Sequence, residues 1–293
     1  MQLPEIERLC LAVVPGAGSI DLEALGAGLI SETYRVARNG VAYTLKVAAE
    51  NPPDLRVDRR WEVRVLERAG SAGIAPHLVY FDLDGAVLLT RWAEGHSWVS
   101  HEPAAPANLD RIAALLRRVH ALATPVPARL VTPLQWINIY DEALSRRASH
   151  SSDAALRREA LVRVQAWLEL PRAIGVVCHS DLHTMNVLQE DDSLVLLDWE
   201  YAHVTDPLWD LAGWCANNDF DVELQWDLLR RYLGKAPISS EWQRFKLLLA
   251  LYDYVCLLWS RLYLNVPGKE GHGVAERARL LDARLRLPAH YAA

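Results

Sequence analysis

Residues 175–200 read GVVCHSDLHTMNVLQEDDSLVLLDWE. An apolar run ending at Cys178 is followed by His179, Asp181 and Asn186 in the spacing H-x-D-x-x-x-x-N, and a later apolar run ends just before Asp198. The runs VVCH, NVLQ and LVLLDWE read as short strands, the last two joined by the turn EDDS. Transfer of a phosphoryl group asks little covalent chemistry of a protein. It needs a carboxylate to orient the attacking hydroxyl and accept its proton, and oxygen ligands that place Mg²⁺ among the phosphates. Asp181 suits the first role, and Asn186 with Asp198 the second. Any one of the three alone is an ordinary turn or cap residue. Their order and spacing, shared with the catalytic loop and metal-binding hairpin of protein kinases, carry the assignment. His179 is expected to pack beneath the loop and hold it through backbone hydrogen bonds, without moving a proton.

Upstream, residues 22–48 alternate apolar and polar positions (Tyr34, Val36, Val41, Tyr43, Leu45, Val47) around Asn39-Gly40, a dipeptide suited to a two-residue hairpin turn. The segment Asp58–Ala69 places Trp61, Val65, Leu66 and Ala69 at helical spacing, with Gly70 as its expected stop. Two further apolar runs around Asp84-Gly85 complete a predicted sheet of about five strands with one inserted helix. In this lobe Lys46 ends a strand where it can reach nucleotide phosphates, and Glu62 on the helix is its natural partner. The turn Gly26-Ala-Gly28-Leu-Ile-Ser31 is leaner in glycine than a G-x-G-x-x-G loop but can cover phosphates with backbone N–H groups. Thr90 to Trp92 falls where a lobe-connecting hinge reads the adenine edge.

Beyond Gly95 the text turns helical, with Ser-rich polar text between two of the pieces and no internal repeat. At 293 residues the chain is long for one core and comfortable for two lobes, expected over 1–92 and 93–293. A composition 51% hydrophobic and 23% charged is that of a globular protein. The formal charge of −6 and the lack of a basic stripe argue against nucleic-acid binding and tolerate a cationic substrate. Cys10, Cys178, Cys215 and Cys256 are scattered, without the pairing of a zinc or disulfide framework, and read as buried free thiols. The opening MQLPEIERLCLAVVPG has neither a basic leader nor an uninterrupted apolar stretch, so the expectation is a cytoplasmic protein without a membrane anchor.

With these parts in order, the chain resembles the choline kinase, thiamine kinase and aminoglycoside phosphotransferase superfamily from about Leu22 to Leu264. The resemblance rests on CHSDLHTMNVL and LLDWEYAHVTDPLWDLA, supported by VAYTLKV and RRWEVRVLERAGSAGIAPHLVYFD. It implies an α+β, protein-kinase-like fold: a small antiparallel-sheet lobe with one main helix, and a larger, mostly helical lobe. It implies ATP and Mg²⁺ as cofactors, Asp181 as base, Asn186 and Asp198 as metal ligands, and Lys46, Glu62, Gly28, Ser31, Thr90 and Trp92 around the nucleotide. His179 and Asp210 would support the catalytic loop. The DWEYA form is more similar to bacterial choline and thiamine kinases than to the antibiotic-modifying branch, which points to an alcohol on a small cationic metabolite. Glu200, Tyr252, Trp259 and Trp214 are then candidate substrate contacts, with Tyr254 and Trp209 as further walls, although large aromatics also pack cores by default. The helical insertion between Leu109 and Leu170 carries no readable specificity mark. Competing expectations are an aminoglycoside or sugar kinase, which would want a more acidic and open pocket, and a nucleotide-binding pseudokinase, which would have lost the base or a metal ligand.

Overall fold

The computed structural model describes residues 3–27, 31–48, 55–84, 87–99, 101–147, 153–171, 173–266 and 271–291. The chain runs α1 (Leu3–Val13), β1 (Asp21–Ala27), β2 (Ser31–Arg38), β3 (Val41–Ala48), α2 (Arg59–Ser71), β4 (Leu78–Asp82), β5 (Val87–Arg91) and β6 (His96–Ser97). It continues through α3 (Pro106–His120), α4 (Pro133–Arg146), α5 (Ala154–Glu169), β7 (Val176–Cys178), β8 (Val187–Glu190), β9 (Ser193–Leu196) and β10 (His203–Thr205). The last elements are α6 (Leu208–Asn217), α7 (Val222–Leu233), α8 (Ser239–Leu264) and α9 (His272–Leu285). This is the two-lobed α+β arrangement. Antiparallel strands in the order β1-β2-β3-β5-β4 form the small lobe, and the large one combines helices with the short pair β10-β7 and the three-stranded sheet β6-β8-β9.

Local chemistry explains the small lobe. Asn39 (φ 53°) and Gly40 (φ 74°) both take the left-handed conformation that a type I′ turn requires, which sets the β2–β3 register from Arg38↔Val41 through Thr33↔Lys46. Asp58 caps α2, accepting from the Trp61 N–H at 3.0 Å. Gly70 does not stop that helix. It lies inside it, where an added Cβ would come within 3.2 Å of Pro76 O, so the glycine permits the following chain to cross close by. β4 and β5 pair antiparallel and Asp84 follows β4, while Gly85 of the expected turn lies outside the described residues.

Two buried clusters result. Ile6, Cys10 and Val14 on α1 and just beyond it seat against Tyr34, Val36, Tyr43, Leu45 and Leu89 of the sheet. Trp61, Val65, Leu66 and Ala69 of α2 belong instead to the larger cluster with α3, α4, α6 and α8. α2 thereby links the sheet to the helical lobe. α8 is the one described helix long and apolar enough to cross a membrane, and 72% of its apolar window is buried inside this fold.

Candidate active site

β7 delivers the chain to the catalytic loop, and Asp210 at the start of α6 holds it there. The Asp210 carboxylate accepts the backbone N–H groups of His179 (2.9 Å) and Ser180 (2.7 Å) and pairs with His120 Nε2 at 3.1 Å. Ser180 sits at φ 70°, a strained conformation that these contacts hold in place. Burial opposes the Asp210 charge, but the bonds from His120 and Ser180 more than offset it and keep its pKa below the usual carboxylate range. His179 accepts the Asp181 N–H on Nδ1 at 3.4 Å, which leaves Nε2 to donate to Leu197 O at 2.7 Å. Buried and with lowered pKa, it is a neutral tie between the loop and the β9 end.

The loop presents Asp181 beside Asn186. Asn186 Nδ2 donates to Asp181 O at 2.9 Å, so the amide oxygen points away, without a partner among the described residues. Asp198, at φ 61°, gives one oxygen to Lys46 Nζ at 2.5 Å and keeps the other without a protein donor among the described residues. Such a pair of hard oxygen donors fits Mg²⁺. Burial, then the charges of Asp198 and Glu200, push Asp181 up to about 7, suited to accepting a proton near neutrality.

Lys46 on β3 gathers three carboxylates: Asp198, Glu200 at 2.8 Å and Glu62 at 3.8 Å. Burial alone would lower the Lys46 pKa; Asp198, Glu200 and Glu62 reverse this and raise it. Arg59, one turn before Glu62 on α2, bonds Glu62 at 2.7 Å and Glu200 at 3.0 Å. Glu62, Asp198 and Glu200 also bring carboxylate oxygens within 4.8 Å of one another, a donor set that could hold a cation in place of Lys46.

Two cavities meet at this cluster. The first, about 470 Å³, lies between the lobes and is lined by Lys46, Glu62, Leu88, Thr90, Trp92, Asn186 and Asp198. Its size suits a nucleotide. The Trp92 N–H is spent on Ala42 O at 3.1 Å. Ser31 lines the other cavity, and Gly28 lies outside the described residues. The second cavity, about 360 Å³, opens on Asp181, Asp198 and Glu200 and is walled by aromatic rings. Tyr252, Trp259 and Trp209 are among them. Trp214 and Tyr254 are not: Trp214 is fully buried edge-on against Trp98, and Tyr254 is buried on α8, so both serve the core.

The structure adds walls that sequence reading did not select. Trp136 and Tyr140 stack at 5.3 Å on α4, so the insertion between Leu109 and Leu170 does contribute to the pocket. The signal was present: Thr132-Pro-Leu-Gln135 is a capping box, with both reciprocal bonds formed, and Trp136 and Tyr140 follow at i, i+4 spacing. Tyr201 accepts the Trp259 indole N–H at 2.7 Å. Asn217 and Arg277 line it too, as does His183, which lies 3.8 Å from Asp181 and whose imidazole burial pushes down to about 4. Cys256, expected buried, is only half-buried and also lines this cavity. Arg59 and Arg277 gave no sequence signal, because the partners that bring them to the site, Glu200 and Asn217, lie far along the chain.

Residues 21–248 match the family model described as the phosphotransferase enzyme family. The chain belongs to that family. It is therefore a small-molecule kinase by family, and its relatives agree. Protein LicA of Haemophilus influenzae is 24% identical over 265 residues, 87% of this chain and 75% of LicA. Among solved structures, the choline/ethanolamine kinase family protein of Mesorhizobium loti superposes with a TM-score of 0.79 at 23% identity, covering 99% of this chain and 97% of that one. The choline kinase LicA of Streptococcus pneumoniae gives 0.79 at 21% identity over 97% and 98%. The interlobe cavity could take a nucleotide and the aromatic cavity an acceptor.

Proposed function

We propose that this phosphotransferase moves the γ-phosphoryl group of ATP to the hydroxyl of a small amino alcohol of choline, ethanolamine or thiamine type. The observation that carries the reading is the acceptor cavity. Six aromatic rings (Trp136, Tyr140, Tyr201, Trp209, Tyr252, Trp259) and the carboxylates of Asp181, Asp198 and Glu200 line one cavity. A cation against aromatic faces in such a desolvated site gains about 2 kcal/mol or more. The Streptococcus pneumoniae neighbour is a choline kinase and the Mesorhizobium loti neighbour a choline/ethanolamine kinase family protein, which supports the same reading.

Asp181 takes the proton of the acceptor hydroxyl as its oxygen attacks the γ-phosphorus and the bond to the ADP oxygen breaks. Lys46 steadies the phosphates and holds Asp198 in place, while Asn186 and Asp198 would hold Mg²⁺. That cation supplies neutralisation of charge on the phosphates. An aminoglycoside fits less well, because a 360 Å³ pocket walled by rings leaves little room for several sugar rings. The intact base and metal-ligand set gives no support to a pseudokinase. The test is a panel of amino alcohols, thiamine and aminoglycosides coupled to ADP release, run beside Asp181→Ala. Turnover is expected with amino alcohols, and Asp181→Ala should lower kcat by a factor on the order of 10²–10⁴ while ATP still binds. Absence of turnover with every amino alcohol and with thiamine would overturn the substrate class; full activity in the variant would overturn the role of Asp181.

A further inference from the structure

The acceptor cavity carries a positive group that a simple cationic alcohol does not use. Its carboxylates, Asp181, Asp198 and Glu200, have part of their charge balanced by Lys46 and Arg59. Arg277, on α9, lines the same cavity. Its one hydrogen bond among the described residues is from Nη2 to Asn217 Oδ1 at 2.5 Å. Among the described residues it forms no ion pair, unlike Arg261 and Arg284, which flank the same α8–α9 contact and bond Asp282 and Asp253.

Arg277 is also held in position. Asn217 donates through Nδ2 to Leu182 O in the catalytic loop at 2.7 Å and to the Tyr252 hydroxyl at 3.2 Å. That fixes the amide so that its oxygen faces the guanidinium. Tyr252 in turn packs edge-on to Trp209 at 5.1 Å. The guanidinium thus stands on a built wall, tied through Asn217 to Leu182 beside the base, with most of its five donors unspent. A guanidinium with unspent donors in a ring-lined cavity is unfavourable for a substrate bearing only positive charge, and favourable for one that brings an anion. α9 also lies outside residues 21–248, the stretch that the family pattern describes.

We infer that Arg277 is a specificity-determining residue that binds an anionic oxygen group, a carboxylate or a phosphate, carried by the acceptor alcohol. This deepens the amino-alcohol reading and rests on it. The acceptor is then zwitterionic: its cation lies among the rings, its hydroxyl at Asp181 and its anion on Arg277. The reaction is unchanged, the anion serving only to position the molecule.

Matched pairs isolate the added charge. Ethanolamine and serine differ by one carboxylate, as do β-methylcholine and carnitine; ethanolamine compared with its phosphate-bearing homologue phosphoserinol examines phosphate as the anion. Two readouts apply to the full chain and to Arg277→Met and Arg277→Lys: kcat/KM by ADP release, and calorimetric affinity in the presence of Mg²⁺ and a non-hydrolysable ATP analogue. In at least one pair the wild type should favour the anionic member, and Arg277→Met should reduce that preference by on the order of tenfold or more, the worth of a charged hydrogen bond. Arg277→Lys, which keeps the charge but not the fork, should retain part of it. A merely structural Arg277 would change both members of each pair alike, leaving the ratio unmoved, and that result overturns the proposal. Preference for the uncharged member in every pair, or no binding of any anionic member, overturns it as well. Binding decides the role of Arg277 even without turnover, whereas turnover of uncharged amino alcohols with no anionic preference leaves the kinase reading standing and removes only this one.

Discussion

Asp210 lines neither cavity, yet the catalytic loop depends on it. Its carboxylate satisfies the N–H groups of His179 and Ser180 and pairs with His120, all in a buried setting where an unmade bond is expensive. Asp210→Ala should therefore destabilise the protein by about 3–5 kcal/mol, the range for removing one member of a buried pair, and should lower kcat by loosening the strained Ser180 that positions Asp181. The pH dependence has a defined sign. Because folding depresses the Asp210 pKa, its contribution is fully present above the unfolded value of about 4 and is lost as pH falls through the folded value. Denaturation of wild type and variant from pH 7 downward checks this: the stability gap should be constant above about pH 5 and shrink in more acid solution. A gap that widened with acid would contradict the assignment. At this scale the sequence was most legible for Asp181, Asn186 and Asp198, because a loop spacing is a local property. It was silent on Arg59 and Arg277, whose roles exist only once α2 and α9 are folded against residues more than 50 positions away.

Among the elements, α4 is the one that alters the picture of the site. Strands β2 and β3 could be read from their alternation and from Asn39-Gly40, and α2 from its apolar spacing, since each pattern is internal to the element. α1 could also have been read, since Ile6, Cys10 and Val14 recur at four-residue intervals and are all buried. The division of aromatics between core and pocket could not. Tyr252 and Tyr254 stand two apart on α8, and only the packing of α6 and α4 decides that the first faces the acceptor cavity and the second the core. Gly213 of α6 is part of that decision: an added Cβ would meet the Tyr252 ring at 2.8 Å, so a glycine there lets the ring lie flat along the helix. The contribution of α4 can be measured with Trp136→Leu, which keeps an apolar side chain and removes the π face. Loss of about 2 kcal/mol of cation–π attraction should raise KM for a cationic amino alcohol by roughly thirtyfold while KM for ATP stays within about twofold, because Trp136 lines the acceptor cavity and not the interlobe one. Parallel changes in both constants would mean that α4 acts through general stability.

For the whole molecule, the question is what joins the sheet to the helical lobe across a cleft that must admit a nucleotide. One answer is apolar: α2 is placed in the chain among the strands but buries Trp61, Val65 and Leu66 in the large cluster. The other is ionic. Lys46 and Arg59 on the sheet side reach Asp198 and Glu200 on the helical side, so four charged residues and Glu62 close the back of the cleft. Lys46 is the centre of this network, and its removal leaves three carboxylates whose oxygens lie within 4.8 Å of one another. Like charges so close and so poorly solvated repel strongly, and breaking a buried ion pair from one side costs about 3–5 kcal/mol. Lys46→Met should accordingly lower the melting temperature of the nucleotide-free protein. A divalent cation can take the place of the lost ammonium among those oxygens, so millimolar Mg²⁺ should raise the melting temperature of Lys46→Met more than that of wild type, where Lys46 competes for the same atoms. Thermal melts of both proteins, with Mg²⁺ and with EDTA, make the comparison. An equal response of the two to Mg²⁺ would show that the carboxylates do not share a cation site, and an unchanged melting temperature without it would show that the lobes are held by α2 alone.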